Sequence, residues 1–352
     1  MMINRLKQLQ AQFKGLRIDA FLVTNAVNKA YLTGFDGDGV ILVTANQTYV
    51  ITDSRYETAL AAMPHDFDVI ITRYYLEAAA QQVKKQQITV LGFEDSIPFH
   101  DYDRIDELMN SDIVPMTNLI EQMREVKSED ELQILEHACK TTVEGFNTLL
   151  PLIKPGVTER YLANQLDAIM RNLGAEKASF DTIVASGKRA ALPHGAATSK
   201  AIQAGEMITI DFGYEFDGYT SDLTRTVALG DPGEKLKSVY RVVQQAQQVI
   251  INAVKPGVSG QQLDQVGREF ITSAGYGKYF NHGTGHGIGL DIHEGPALSM
   301  RSNDHMMTNN VITVEPGIYL PNLGGIRIED DILVTEAGHR ILTDGSRDLV
   351  VL

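Results

Sequence analysis

A repeated pattern in the second part of the chain constrains the fold more than any other feature of the sequence. Residues 154–157 (KPGV) recur 101 positions later as residues 255–258. A second pair follows in the same order, because residues 208–213 (ITIDFG) resemble residues 312–317 (ITVEPG), 104 positions later. Two matches in one order at nearly equal spacing indicate that this part of the chain is a duplicated unit.

Each half of the repeat contains the same succession of elements. The KPGV motif precedes a helical pattern that closes at Gly174 in the first half and at Gly275 in the second, the expected helix stop. Each half then continues into a strand that ends in a carboxylate, Asp211 or Glu315. We therefore predict an α+β domain with pseudo-two-fold symmetry and a site on its axis.

The first third of the chain has a different pattern, in which helices and strands alternate. Short runs rich in Val, Ile and aromatic residues predict strands, and longer periodic runs predict helices. The predicted helices are 3–15, 77–87 and 102–109, and the predicted strands are 20–24, 40–44, 49–52, 89–93 and 112–115. The alternation indicates an α/β domain. We place it at 1–122 and the second domain at 123–352. Residues 120–140, which cross this boundary, are predicted to be helical, with a capping box formed by Ser128 and Glu131.

Composition excludes several classes of protein. The chain has 352 residues and one cysteine, Cys139, so an intrachain disulfide is impossible and Cys139 is expected to be a small helix residue. The net charge of −14 opposes binding to nucleic acid. No apolar run approaches the roughly 18 residues of a membrane span, and the polar start resembles no signal peptide. We expect a cytoplasmic protein.

Two aspartates are predicted to converge within residues 207–229. This segment reads as a hairpin with Asp217-Gly218 at its turn, which places Asp211 opposite Thr224 and leaves Asp222 diagonal to Asp211 on the same face. A turn shifted by one residue would instead place the two aspartates directly opposite each other. Like charges on neighbouring strands are destabilising, and a cation bound between them would offset this repulsion. The alternative is that both aspartates lie on a solvated strand face.

More candidate ligands follow later in the chain. Gly283 follows His282, glycines flank His286, and His293 follows closely, which favours a functional cluster. Glu315 ends a strand, and Arg327 and Glu329 share one face of an alternating segment. Four carboxylates and one imidazole suit a pair of Mn, Fe, Co or Zn ions. His194 stands alone in a loop, and by itself favours a structural role.

The motifs in this region identify a family resemblance that covers essentially the whole chain. Residues 282–294 (HGTGHGIGLDIHE), 313–319 (TVEPGIY), 325–331 (GIRIEDD) and 209–226 (TIDFGYEFDGYTSDLTRT) resemble the pita-bread metallopeptidases, in the branch of aminopeptidase P and prolidase. Residues 31–35 (YLTGF) and 51–56 (ITDSRY) are similar to the creatinase-like N-terminal domain of that branch. The resemblance implies the pita-bread (creatinase/aminopeptidase) fold for the second domain.

The resemblance also implies a role for each candidate residue. Asp222 and Glu329 would bridge two metals, Asp211 would complete the shell of one, and His286 and Glu315 that of the other. Glu315 would also move the proton of the attacking water. The remaining candidates would contact the substrate: His194 and His293 at the tetrahedral intermediate, and His282, Arg327 and Tyr319 around the proline pocket.

The implied activity is hydrolysis of the Xaa-Pro bond at the N-terminus of a peptide or dipeptide. The sequence leaves open whether the enzyme is an Xaa-Pro dipeptidase, which requires a dipeptide, or an Xaa-Pro aminopeptidase, which trims longer peptides. A methionine aminopeptidase-like activity and a non-catalytic peptide-binding module are the alternatives. Creatinase shares both domains without using metals, and the intact ligand set argues against it. The resemblance further implies two divalent metal ions per chain, Mn with Co or Zn as alternatives, and a homodimer.

Overall fold

The chain forms two compact units. The computed structural model describes the backbone of residues 2–352 and the side chains from residue 4 onward. The first unit ends at Arg124 and the second runs from Glu125 to Leu352. The division lies two residues after the boundary that the sequence indicates.

The first unit is an α/β unit built on one six-stranded sheet. The sheet has the order β4-β3-β2-β1-β5-β6, with β1 antiparallel to β2 and parallel to β5. Its strands are β1 (Ala20–Val23), β2 (Val40–Thr44), β3 (Thr48–Thr52), β4 (Asp68–Ile71), β5 (Val90–Glu94) and β6 (Asp112–Met116). The helices are α1 (Met2–Leu16), α2 (Ala26–Thr33), α3 (Glu57–Ala62), α4 (Tyr75–Lys85) and α5 (Phe99–Leu108), and α6 (Leu119–Glu125) ends at the junction.

Every helix and strand predicted in the first third is present, and three elements were not predicted. Helix α2 begins at Asn25, whose side chain accepts hydrogen bonds from two backbone N–H groups, and it ends at Gly34 with φ of 72°. Its eight residues are too few to show a helical period. Helix α3 is shorter still, and the edge strand β4 has no fully buried residue, so it lacks the apolar run of an inner strand.

The second unit is an α+β unit. Its helices are α7 (Glu129–Leu149), α8 (Glu159–Asn172), α9 (Glu234–Ala253) and α10 (Gly260–Ser273), with short 3₁₀ turns at Leu150–Leu152, Gly187–Ala191 and Gly277–Tyr279. Its strands are β7 (Lys177–Ala178), β8 (Ile183–Ser186), β9 (Glu206–Phe212), β10 (Tyr214–Phe216), β11 (Tyr219–Thr220), β12 (Leu223–Leu229), β13 (Gly285–Gly287), β14 (Glu294–Leu298), β15 (Val311–Val314), β16 (Gly317–Leu320), β17 (Gly324–Arg327), β18 (Asp330–Thr335) and β19 (Gly338–Ile341).

The duplication predicted from the sequence is confirmed in the element order. The two KPGV motifs lead into α8 and α10, each capped by a hydroxyl side chain, from Thr158 and from Ser259. Gly174 and Gly275 follow the two helices with φ of 101° and 86°, a backbone conformation that favours glycine. The first half then contributes the sheet β12-β9-β8, and the second the sheet β14-β13-β15-β18-β19.

The predicted helix over residues 120–140 is two helices. The backbone N–H of Lys127 donates to the carbonyl of Asn309 at 3.0 Å, so Lys127 does not form the hydrogen bond that would continue the helix. Helix α7 then starts afresh at Ser128, where Glu131 accepts the backbone N–H of Ser128 at 2.8 Å, the predicted capping box. Cys139 is fully buried in α7. No described helix is long and apolar enough to cross a membrane.

Candidate metal centre

The aspartate hairpin has the register predicted from its turn. Asp211 in β9 pairs with Thr224 in β12. Asp217 and Gly218 have φ of 47° and 77°, so both turn residues adopt the left-handed conformation that a two-residue hairpin turn of this hand requires. Asp211 and Asp222 are only 8% and 4% exposed. The alternative of a solvated aspartate face is therefore wrong.

The second half of the repeat supplies two more carboxylates. Glu315 directly follows β15, and its backbone N–H bonds to the carbonyl of Thr284 at 2.8 Å. Glu329 lies between β17 and β18, where the predicted continuous alternation is interrupted. Its N–H reaches across to the carbonyl of Thr224 at 3.1 Å, which ties this carboxylate to the aspartate hairpin of the first half.

Asp222, Glu315 and Glu329 converge with His286, whereas Asp211 lies in the same cavity and accepts from Arg327. Ligand atoms of Asp222, His286 and Glu329 all lie within 4.8 Å of one another. The His286 Nε2 atom is 3.8 Å from Asp222 Oδ2 and 3.6 Å from Glu315 Oε1. Nδ1 of the same ring is 3.0 Å from the carbonyl of Gly287, an acceptor, so Nδ1 carries the proton. Nε2 of the neutral ring then presents a lone pair to the cluster, as a metal ligand does.

The electrostatics of the cluster fit a divalent cation. Burial, followed by the neighbouring carboxylates, raises the pKa of Asp222 and Glu329 well above their usual values, and burial raises the pKa of Glu315 to about 8. Burial lowers the pKa of His286 to about 4, which keeps the ring neutral at pH 7. Among the described residues, Asp222 Oδ1 is a buried oxygen with no hydrogen-bond partner. A hard cation among oxygen and imidazole ligands would satisfy this oxygen and neutralise the carboxylates.

The cluster predicts how the stability of chelator-treated protein depends on pH. A carboxyl group whose pKa is raised by folding stabilises the folded state below its unfolded pKa, and this contribution is lost as pH rises through the folded pKa. For Glu315 this window extends from its ordinary pKa of 4.5 to a pKa of about 8 in the folded protein. We expect the Glu315 contribution to the free energy of unfolding of metal-free protein to fall by roughly 3 kcal/mol between pH 5.5 and 8.

Urea unfolding at the two pH values measures this difference. Glu315→Gln, which cannot titrate, should show a smaller decrease than the wild type. An equal decrease in both proteins would mean that Glu315 does not carry the effect.

A chain of hydrogen bonds orders the wall beside the carboxylates. Arg327 donates to Asp211, and its Nη1 donates to the hydroxyl of Tyr319 at 2.8 Å. The Tyr319 hydroxyl is 2.8 Å from Nε2 of His282, whose Nδ1 bonds to the carbonyl of Gly283. The Tyr319 hydroxyl therefore donates its hydrogen bond to Nε2 of His282. The three predicted substrate-contacting residues Arg327, Tyr319 and His282 thus form one connected wall, anchored on a predicted metal ligand.

The cluster opens into a cavity of about 500 Å³. His194 and His293 are exposed at its surface, and neither ring forms a hydrogen bond with another described residue. The His293 ring packs against that of His286 with centroids 4.4 Å apart. All ten residues predicted for the site line this cavity, which brings together His194, Asp211, Asp222, His282, His286, His293, Glu315, Tyr319, Arg327 and Glu329.

The structure adds residues to the site that sequence reasoning missed. Thr224 donates its hydroxyl to Glu329 at 2.6 Å and accepts from Arg327 at 3.2 Å. The strand alternation that aligned Asp222 with Thr224 could have indicated this residue. Asp331 accepts the backbone N–H of Asp222 at 3.0 Å. Phe180 and Ile183 line the cavity from the segment before and within β8, and no local pattern in the sequence marks them.

Comparison with known proteins places both units in described families. The chain matches metallopeptidase family M24 over residues 133–336, which is more than half of its length. It matches the creatinase/prolidase N-terminal domain over residues 5–126. The two matches agree with the fold predicted from the sequence motifs, and together they cover nearly the whole chain.

Relatives are similar along their full length. An Xaa-Pro dipeptidase from Pyrococcus horikoshii is 38% identical, covering 95% of this chain and 95% of the relative. The solved structure of an Xaa-Pro dipeptidase from Bacillus anthracis superposes with a TM-score of 0.98 at 40% identity, over the whole of both chains. That of an X-Pro aminopeptidase from Thermotoga maritima gives 0.89 at 39% identity, over 97% of this chain and all of the other.

Proposed function

The chain belongs to metallopeptidase family M24, and from that membership we propose that it is a two-metal peptidase that cleaves the bond between an N-terminal residue and a following proline. The observation that carries the proposal is the convergence of Asp222, His286 and Glu329 within 4.8 Å in a cavity. The similarity to full-length Xaa-Pro dipeptidases supports the choice of substrate. Asp211, Asp222, His286, Glu315 and Glu329 would hold the metals.

Divalent ions bound there would polarise a carbonyl oxygen and lower the pKa of water, which is the chemistry that peptide hydrolysis needs. Glu315 is placed to transfer the proton of the attacking water. Its Oε1 lies 3.6 Å from Nε2 of His286, at the cluster where the attacking water would be held. Proline leaves as a secondary amine, which must gain a proton, and Glu315 can deliver the one it has taken from water.

His194 and His293 are placed to stabilise charge on the substrate. Both are exposed in the cavity and their ring nitrogens have no partner among the described residues, so they can donate to a developing oxyanion. Burial lowers the pKa of His293, so the neutral ring dominates at pH 7, and it can donate from its one protonated nitrogen.

The wall formed by His282, Tyr319 and Arg327 suits a proline ring. Proline has no N–H and a fixed φ, so a site that reads an extended backbone through N–H groups rejects it. This wall offers an imidazole and a phenol ring instead. Arg327 gives its donors to protein partners, because it bonds to Asp211, Tyr319, the carbonyl of Pro193 and Thr224. Its role in the proposal is to order the wall.

The rates at which the enzyme cleaves Ala-Pro and Ala-Pro-Gly test the proposal and distinguish a dipeptidase from an aminopeptidase. Cleavage of Ala-Pro alone identifies a dipeptidase, and cleavage of Ala-Pro-Gly identifies an aminopeptidase. Ala-Ala-Gly and Met-Ala-Gly are the controls. Cleavage of Met-Ala-Gly alone favours a methionine aminopeptidase, and no cleavage with Mn, Co or Zn favours a peptide-binding module.

His293→Ala should slow turnover while the metals stay bound. The ring contributes a donor to the oxyanion and is not among the five ligands, so we expect kcat to fall by about 10²- to 10³-fold. Metal content after dialysis should equal that of the wild type. The control is His305→Ala, an exposed histidine outside the cavity. Loss of metal from His293→Ala would contradict the assigned role.

Three finer features remain predictions: manganese as the metal used in the cell, a homodimer and a cytoplasmic location. Oxygen and imidazole ligands bind several divalent ions, so metal choice depends on availability. Metal analysis of protein purified from its own cells and sedimentation velocity test the first two. A monomer at all concentrations would remove the homodimer.

A further inference from the structure

We propose that Glu159 is a positioning residue for His194, acting through the loop that carries this histidine. The inference rests on the proposed function, because it takes His194 as a group that touches substrate. Glu159 is the first residue of α8 and is fully buried. It lies outside the cavity and outside the metal-binding cluster.

The carboxylate of Glu159 joins the two ends of one loop. Oε1 accepts the backbone N–H and the hydroxyl of Ser186, at 2.9 and 2.8 Å, where β8 ends. Oε2 accepts the backbone N–H and the hydroxyl of Thr198, at 3.1 and 2.6 Å. Residues 187–197 run between these two points, and His194 lies among them. One buried side chain therefore fixes the separation of the ends of the loop.

The same carboxylate also fixes the loop at a third point. Glu159 Oε2 accepts from Nη1 of Arg189, an ion pair with the Arg189 side chain 24% exposed. Nη2 of Arg189 donates to the carbonyl of Ala196 at 2.8 Å, two residues after His194. Because the guanidinium is planar and rigid, bonding the Glu159 carboxylate with one nitrogen and the Ala196 carbonyl with another fixes the distance between these two acceptors and their relative orientation. Glu159 thus acts, through Arg189, on the backbone two residues after His194.

The loop in turn contacts the site. The carbonyl of Pro193 accepts from Nη1 of Arg327 at 3.2 Å, and Arg327 bonds to Asp211. Ile183, which starts β8, pairs with Asp211 on one side and forms a bridge with Ala196 on the other. A change in the position of the loop therefore changes where the His194 ring lies relative to the carboxylates.

The second half of the repeat contains a matching arrangement. Asp264 in α10 is fully buried and accepts from Arg268 at 2.8 and 2.9 Å. Arg268 donates to the carbonyls of Phe280 and His282, at 3.0 and 2.8 Å. Each half therefore uses a buried carboxylate on the helix after its KPGV motif, and an arginine bound to it, to hold the segment that bears a histidine lining the cavity.

The test combines Glu159→Gln with His194→Ala in the full-length, manganese-loaded enzyme, with Ala-Pro as substrate. Glu144→Gln is the matched control, because Glu144 is exposed on α7. A displacement of about 1 Å at a reacting group costs on the order of 10²-fold, so we expect Glu159→Gln to lower kcat/KM by about 10- to 100-fold. Metal content should stay at the wild-type value.

The double variant separates positioning from a general loss of structure. If Glu159 acts through His194, the double variant should match His194→Ala within about two-fold, since the loop then has no histidine to place. If the two losses multiply, or if Glu159→Gln loses metal, the proposal is wrong. Should Glu159→Gln fail to fold, Thr198→Val removes a single hydroxyl donor and should give a smaller loss that again disappears without His194.

Hydrogen exchange gives a readout that does not depend on activity. In Glu159→Gln, residues 187–198 should exchange faster than in the wild type, whereas Glu144→Gln should leave this segment unchanged. Wild-type protein that cleaves no proline peptide would refute the proposed function. Unchanged exchange at 187–198 in Glu159→Gln would refute the role of Glu159 in either case.

Discussion

Asp222→Asn should remove both metal ions and lower kcat/KM by at least about 10³-fold. The carboxylate lies 3.8 Å from His286 and has a Glu329 oxygen within 4.8 Å, and the bridging role that the family motifs imply would give it a bond to each ion. Asparagine keeps the shape of the side chain but offers one neutral oxygen in place of two charged ones. Metal analysis after dialysis and the rate on Ala-Pro measure the two effects on the same sample.

Asp217→Asn is the matched control, because it makes the same exchange at an exposed position of the same hairpin. Asp217 has φ of 47°, a conformation that asparagine adopts readily, so the turn should be kept. This variant should retain metal and activity. Full activity of Asp222→Asn, or loss of one ion alone, would rule out the bridging role of Asp222.

Removal of the metals from the wild type should abolish activity, and manganese should restore it. The metals also stabilise the folded state, because they bind carboxylates that otherwise repel one another. At a metal concentration of about 1,000 times the dissociation constant, each site contributes about 4 kcal/mol to the free energy of unfolding. Thermal unfolding of chelator-treated protein, with and without added Mn, Co or Zn, measures this contribution.

Asp222→Asn supplies the control for this second prediction. Its unfolding temperature should hardly change with added metal, since its site is impaired. Equal metal-dependent stabilisation of the variant and the wild type would place the stabilising ions elsewhere. Activity of the wild type that persists after complete metal removal would contradict the metallopeptidase mechanism itself.

The parts of the site that were predictable from sequence depend on short-range geometry. The turn at Asp217-Gly218 sets the register of the hairpin, so the pairing of Asp211 with Thr224 followed from the chain alone. The repeat indicated the second half of the site by the same logic, since Glu315 directly follows its strand and Asp211 is the second-last residue of its own. Roles for isolated residues such as His194 came only from the family motifs.

The remaining contacts join segments that are distant in the sequence. Arg327 meets the carbonyl of Pro193, 134 positions earlier, and Glu159 meets Thr198, 39 positions later. Nothing local to either residue indicates which backbone group will lie opposite. The division of the predicted helix 120–140 has a similar origin, because the partner of the Lys127 N–H is the carbonyl of Asn309. Such contacts depend on how segments distant in the sequence pack together.

The two halves contribute different chemistry to one site. The first half brings two aspartates on a rigid hairpin, and the second brings His286, Glu315 and Glu329. The bond from the Glu329 N–H to the carbonyl of Thr224 joins the halves directly beside the cluster. The site is therefore complete only when both halves are folded, and we expect metal binding and folding of the second unit to be linked.

The most direct test of the central claim is the dependence of cleavage on proline at the second position of the substrate. With manganese-loaded enzyme, kcat/KM should be measured for Ala-Pro and Ala-Ala, and for Ala-Pro-Gly and Ala-Ala-Gly. We expect the proline member of at least one pair to be cleaved on the order of 10²-fold faster or more. Equal rates within both pairs, or faster cleavage of the alanine peptides, would contradict a peptidase specific for the Xaa-Pro bond.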